Sequence, residues 1–514
     1  MNLNDADRAK AELARAVEGG DQEDIAATAM FHIWPLVMLH IDLLIGAVGV
    51  LQEPVLDRYP VLRLVHPFTA VLARTTRPFT PRLYPEEAKT MSAEQVDMVL
   101  LTQLIAYRAS GDVESALVYA RRLHDRVQTV RVESRDRVDG PRWYFDLQIG
   151  STLLTAGDSA QALRFFAMAR QLGILTPQED AERVTLGRLA VAHAMRGSLH
   201  DAERALAGAM ALPPPLPTNR TLATTTEATT AALIAVDRGA DDVDECLAAL
   251  APHDSTDLMW PLALLARTRA LLARGLPDDA LETIRLARDS HPVRRPSLAF
   301  DVVGGATIEA LLLTDEFDQA CRVAREHEGA GVLTALATVR LLLRERSPGA
   351  ASAELLRLQR DPSLGPGARV ECRMLAVWAE FLGEGDLDVT AADELFRVMR
   401  RRDHRRLAAG MPRQVVECAQ GRLDEKAARE FADARGGLVH TEFGERPVLT
   451  AGERRVLEGL TVHASTGALA AAFQVSPNTI KSQLRTLYRK LGCSTREEAL
   501  RAAERLHLLA TDEE

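Results

Sequence analysis

Lysine is scarce in this chain: of 514 residues only Lys10, Lys89, Lys426, Lys481 and Lys490 are lysines. None follows a Gly-rich loop, and no G-x-x-x-x-G-K-[ST] occurs, which excludes a Walker-type phosphate loop. The chain also lacks H-E-x-x-H, G-x-S-x-G, G-x-G-x-x-G and EF-hand patterns, so the reading is of a non-enzyme with no cofactor and no metal. Aromatic residues make up only 4%. A core must then come from Ala, Leu and Val, which suits close-packed helices better than a β-sandwich. Five cysteines (Cys246, Cys321, Cys372, Cys418, Cys493) are scattered with no C-x-x-C, which argues against a disulfide framework or zinc knuckle and for a reducing cytoplasm. The polar, acidic start MNLNDADRAK shows no secretory signal. Ile25–Leu51 is the most apolar stretch, but it holds His32, Pro35, His40 and Asp42. Asp42 alone would cost about 2.5–3.5 kcal/mol in a membrane. A buried helix pair is expected there, and no membrane association.

What is present is unevenly charged. The formal net charge is −10. Residues 1–448 carry 53 basic and 64 acidic side chains, whereas residues 449–514 carry 9 and 8. Within Pro477–Leu491 there are four basic residues and no acidic one. The chain as a whole is too acidic to coat nucleic acid, but this short stretch is not.

Helical segments recur along the middle of the chain: 111–123, 157–172, 197–212, 239–250, 275–288 and 315–328. Ala116, Ala162, Ala202, Ala280 and Ala320 align, at spacings of 46, 40, 78 and 40. Each unit reads as helix–turn–helix. A Gly supplies the left-handed residue ending one helix, and an Asp or Ser caps the next. The preceding helices are Trp143–Ala156, Val184–Arg196, Thr225–Arg238, Pro261–Arg274 and Phe300–Leu313, with further pairs at 333–359 and 370–400. One pair cannot bury its apolar stripe, but stacked pairs can. The pattern over 100–410 resembles tetratricopeptide-type repeats, and an all-α fold with an α-solenoid is expected. Its domains are an N-terminal helical cap at 1–100, broken by prolines from Pro54 to Pro85, and the solenoid at 101–435. ALPPPLPTNR (211–220) reads as an extended connector, and Gln414–Ala434 as one helix before Gly436-Gly437. The Arg400–Arg406 run has two readings: a solvated face, or a surface that docks on acidic repeats or on DNA.

A linker at 436–448 leads to a module at 449–510 of different texture. Thr450 and Glu453 form a capping-box pattern. TGALAAAFQV (466–475) is a short helix with Leu469, Ala470 and Phe473 inward. Ser476 caps a second helix, with Pro477 in its first position and Gly492 at its end. Ile480, Leu484, Leu487, Tyr488 and Leu491 share its inner face; Lys481, Ser482, Arg485, Arg489 and Lys490 lie outside it. Two short helices with a tight turn, the second capped and basic, fit a helix-turn-helix whose second helix enters the major groove. Lys481 and Arg485 are one turn apart, so both can reach base edges. Asn478, Thr479, Arg489 and Lys490 are placed for phosphates.

The stretches LT..E...L (449–457), SPNTIKSQL, YRKLG and TRE (495–497) resemble the LuxR-type helix-turn-helix family. That resemblance implies base contacts at Lys481, Ser482 and Arg485, a phosphate contact at Thr479, and dimerisation through the last helix (Arg496–Leu508). Arg496, Ala499, Leu500, Ala503 and Leu506 are the expected dimer residues. His463, Thr466-Gly467-Ala468 and Arg455 differ from the family's usual residues. The two halves together resemble the MalT-like LuxR regulators without their NTPase domain. The implied function is bacterial transcription regulation: double-stranded DNA bound by a homodimer, a small-molecule or protein effector on the repeats, and RNA polymerase as a further partner. The alternative from another class is a helical-repeat adaptor whose module binds protein rather than DNA.

Overall fold

The computed structural model describes residues 3–59, 61–62, 91–137, 140–176, 178–250, 252, 259–436, 449–463, 465–491, 493 and 495–505. Among them every regular element is a helix. The expected linker falls outside the described residues but for Gly436. So do the prolines from Pro60 to Pro85, as well as Gly492 and Leu506.

The N-terminal part holds α1 (Leu3–Gly19), α2 (Gln22–Phe31), α3 (Ile33–Leu39), α4 (Ile41–Gly49) and α5 (Glu53–Arg58). The apolar stretch from Ile25 is therefore three short helices rather than a pair. Among the described residues no helix is long and apolar enough to cross a membrane.

The repeats follow as α6 (Ala93–Ala109), α7 (Val113–Thr129), α8 (Glu133–Asp136), α9 (Arg142–Thr155), α10 (Ser159–Gly173), α11 (Ala181–Met195), α12 (Leu199–Met210), α13 (Pro217–Arg238) and α14 (Val243–Ala248). They continue as α15 (Trp260–Ala273), α16 (Pro277–Ser290), α17 (Leu298–Leu313), α18 (Phe317–Glu326), α19 (Val332–Arg344), α20 (Pro348–Gln359), α21 (Pro366–Glu384) and α22 (Val389–Met399). A 3-10 turn (Arg402–His404) and α23 (Arg405–Ala409), α24 (Arg413–Arg422) and α25 (Glu425–Arg435) complete this part. Apart from the single turn α8, the helices pack on their hairpin partners and on neighbouring pairs. The five aligned alanines are all 0% exposed, as close helix approach requires. Asp112 and Asp158 cap α7 and α10 through their side chains, whereas Ser198 makes no such bond. The connector is shorter than expected. Pro217 takes the first position of α13, where its missing N–H costs nothing, and the helix starts eight residues before Thr225. Gln414–Ala434 is two helices, because Asp424 caps a new one at Glu425.

The array curls until its late repeats touch its early ones. Gly197 (φ 74°) meets Gly367 so closely that a Cβ on Gly197 would stand 2.6 Å from the Gly367 Cα. Gly367 N donates to Arg196 O at 2.9 Å, and Arg196 Nη1 donates to Ser363 O at 2.9 Å. The basic run at 400–406 docks on this seam: Arg406 Nε donates to Asp237 at 2.5 Å, and Arg238 Nε donates to Asp403 at 2.8 Å. Arg400, Arg401 and Arg402 stay exposed.

Charge lines the inside of the turn. One residue from each of six inner helices forms a row of alternating sign: Asp237, Arg269, Glu309, Arg340, Glu371, Arg406. Asp301, on the same helix as Glu309, is buried apart from it and accepts from Leu333 N and Thr334 N. Asp237 joins Arg269 (3.3 Å) and Arg406 (2.5 Å); Arg340 joins Glu309 (2.9 Å) and Glu371 (2.5 Å). Burial pushes the carboxyls of Asp237 and Glu371 up, but the neighbouring guanidiniums outweigh it and hold both below the ordinary range.

Candidate nucleic-acid interface

The C-terminal module has a small core of its own, centred on Val456, Leu457, Leu460, Leu469, Ile480, Leu484, Leu487 and Leu491. Its helices are α26 (Ala451–Val462), α27 (Thr466–Phe473), α28 (Pro477–Leu491) and α29 (Arg496–Arg505). The expected capping box is present. Glu453 N donates to Thr450 Oγ1 at 3.3 Å, and Thr450 N donates to Glu453 Oε2 at 2.7 Å.

α27 is better started than its Thr-Gly-Ala beginning suggests. Ser465 is its N-cap, with Oγ accepting from Ala468 N at 3.2 Å. The helix ends at Gln474, whose φ of 55° makes the left-handed turn into α28. Ser476 then accepts from Thr479 N at 3.1 Å and fixes the start of the second helix. Gly459 is a position the sequence pattern did not single out. A Cβ there would lie 2.5 Å from Leu469 Cδ2 and 2.7 Å from Phe473 Cζ, so a larger residue would have to displace both side chains where α26 meets α27. Two of the unusual residues pack on the same ring: the Arg455 guanidinium lies 4.6 Å from the Phe473 centroid, and His463 meets it edge-on at 6.3 Å.

This scaffold presents one face of α28. Asn478, Thr479, Lys481, Ser482, Arg485 and Arg489 are all exposed. Lys481, Arg485 and Arg489 recur every four residues, a cationic stripe about 12 Å long. No acidic side chain lies on α28. The Thr479 hydroxyl lies 2.8 Å from Ser476 Oγ, which ties it to the helix start.

Other expected residues stand elsewhere. Lys490, read from the sequence as a phosphate contact, points back into the module, with Nζ 2.7 Å from Glu453 Oε2. Helical spacing put it outside the apolar face, but it sits on the shoulder where α26 crosses. Burial raises the Glu453 carboxyl, yet Lys490 and the capping bonds outweigh this and hold it below the ordinary range. Ala499 and Ala503, expected on a dimer face, are 0% exposed and face the module's own core. A fully covered methyl offers nothing to a second chain. Arg496 donates to Leu460 O, and Leu500 is partly buried against the same core.

A capped, cationic second helix following a short first helix and a left-handed turn defines the helix-turn-helix class of DNA-binding domains. Residues 447–503 match the family described as "Bacterial regulatory proteins, luxR family". The chain is also similar to "Probable transcriptional regulatory protein NarL" of Mycobacterium tuberculosis, from strains CDC 1551 / Oshkosh and ATCC 25618 / H37Rv. Each is 38% identical over 95 residues, which is 18% of this chain and 44% of the relative. The chain thus spans less than half the length of these curated relatives.

Proposed function

We propose that the protein is a DNA-binding transcriptional regulator. Its α28 enters the major groove, with Lys481, Ser482 and Arg485 toward base edges and Asn478, Thr479 and Arg489 toward phosphates. The observation that carries this is the exposed Lys481–Arg485–Arg489 stripe on a helix without acids, held on a luxR-family core. Lys490 acts indirectly, by fixing α28 against α26 through Glu453. A homodimer on DNA supplies two such helices, since one module buries too little surface for tight specific binding. The repeat array receives an effector and passes its state to the reading head and RNA polymerase. The acidic balance of the first 448 residues keeps the large part of the protein off DNA, so that binding is left to the module.

The test is a fluorescence titration with genomic duplex fragments, using the full chain and the Lys481→Ala/Arg485→Ala variant. The proposal requires the variant to lose its preference for specific fragments while it retains the unfolding profile of the parent.

One observation favours the second reading, a protein-binding adaptor. The exposed positions of α27 include Ala468, Ala471 and Ala472, and this helix carries no charged residue. Absence of binding to any duplex, even at low salt, would favour it.

A further inference from the structure

The seam of the repeat array encloses a cavity of about 330 Å³. That is the size of a small-metabolite pocket, at the lower end of the usual range. Its walls come from both sides of the seam: Asp158 to Gly197 on one, Gly331 to Glu371 on the other, and the docked segment at 403–407. Its floor is the alternating charge set. Asp237, Arg269, Arg406 and Glu371 all line it.

These charges are grouped in a way that pairwise neutrality would not produce. Asp237 is shared by two guanidiniums, so that triad is formally +1. Arg340 is shared by two carboxylates, so that triad is formally −1. The side chains of Arg269 and Asp237 are 10% and 11% exposed, and those of Arg340 and Glu371 are 14% and 10% exposed. The cavity therefore has a positive border at Arg269 and Arg406 and a negative one at Glu371, both largely removed from water, where charge–charge interactions are weakly screened. Asp158, Asp301, Asp361, Asp403 and Arg196 also line it, but each is engaged elsewhere: Asp158 by Gln161 N, Asp301 by Leu333 N and Thr334 N, Asp361 by Ser363 N, Asp403 by Arg238 and Arg196 by Ser363 O. An anion alone would be repelled by Glu371 and a cation alone by Arg269 and Arg406. A molecule with both charges satisfies both borders. Among the described residues no Phe, Tyr or Trp lines the cavity, and the ring that does is the His404 imidazole, which is itself buried.

We propose that this cavity binds a small zwitterion of the amino-acid or dipeptide kind, with its carboxylate toward Arg269 and Arg406 and its ammonium toward Glu371. The occupant touches both sides of the seam, so its binding holds the late repeats against the early ones. This inference rests on the reading of the repeats as the effector-receiving part and names the chemical class of the effector.

The experiment follows thermal unfolding of the full chain with each proteinogenic L-amino acid and with simple dipeptides. The comparison set is the matching amines and carboxylic acids that carry a single charge. At least one zwitterion should raise the unfolding temperature by about 3 °C at a hundredfold excess over Kd, and its single-charge relatives should not. The rise should vanish in Ala160→Phe and in Ala330→Phe, which fill the cavity from opposite walls. Either variant suffices if it retains the parent's unliganded unfolding temperature. No effect from any zwitterion overturns the proposal, as does an equal effect from a single-charge relative or a rise that survives filling. Binding to DNA is scored on the same preparations. Intact DNA binding with no zwitterion effect removes the cavity assignment alone, whereas lost DNA binding with the effect intact removes the regulator reading alone.

Discussion

Replacing Asp237 by Ala leaves two guanidiniums at the seam without the carboxylate they share. Arg406 Nε lies 2.5 Å from Asp237, and Arg269 Nη1 lies 3.3 Å from each of its oxygens. Breaking a buried pair by removing one partner costs about 3–5 kcal/mol, because the remaining charge is left uncompensated. Arg406 still feels Glu371 and Glu309 after the change, which places the expectation near the lower figure, about 3 kcal/mol. Asp289→Ala is the matched control. It removes an exposed partner of Arg285, whose side chain is 57% exposed against 64% for Asp289, and should cost at most about 0.5 kcal/mol. Urea unfolding followed by circular dichroism reads both. Salt should leave the Asp237 effect nearly unchanged. The pH dependence has a definite sign. The folded carboxyl of Asp237 lies below its unfolded value of 3.8, so its contribution is complete above that pH. It is lost as the pH falls through the depressed value, and the gap between parent and variant should close there. A loss under about 1 kcal/mol at pH 7, or one no larger than that of Asp289→Ala, would refute the claim that this charge set holds the seam.

Further outcomes concern other parts of the chain. Asp146 is buried with Oδ2 lacking a hydrogen-bond partner among the described residues, and burial raises its carboxyl to about 7. A folded value above the unfolded 3.8 means that stability falls as the pH rises between the two, by up to about 4 kcal/mol. Asp146→Asn should therefore stabilise the protein at pH 8 and change little at pH 4, as thermal melts at both values will show. Ser465→Ala should cost the C-terminal module about 1 kcal/mol by removing the cap of α27, measured by amide exchange within that module. Arg489→Ala should weaken DNA binding evenly across sequences and lower the salt slope of log K by about 1.

The helix pairs were legible because their signals are local. A Gly that must turn left, an Asp that caps and an Ala that must be small all act within one hairpin, and Asp158 with Ala162 shows all but the first in five residues. The reading face of α28 was legible for the same reason: Ile480, Leu484, Leu487 and Leu491 fix which side is inside, and the cations occupy the other. Closure of the array was not legible. Arg406 and Asp237 are 169 residues apart, and a basic run looks the same in sequence whether it meets water or a buried acid. The Lys490–Glu453 ion pair was not legible either, because helical spacing separates inside from outside but not outside from shoulder. Ser465 and Thr466 are both capping types, and only the backbone decides that Ser465 precedes the first turn of α27. The alternating charges were hidden by their spacing, one per repeat, with each of them ordinary alone.

Selection of bound duplexes from a random-sequence pool, with the full chain and with Lys481→Ala/Arg485→Ala, tests the central claim most directly. The parent protein should enrich one recurring motif, arranged as paired half-sites if it binds as a dimer, and the variant should enrich none. Failure of the parent to enrich any sequence, or enrichment of the same motif by the variant, would contradict the assignment of α28 as the reading helix.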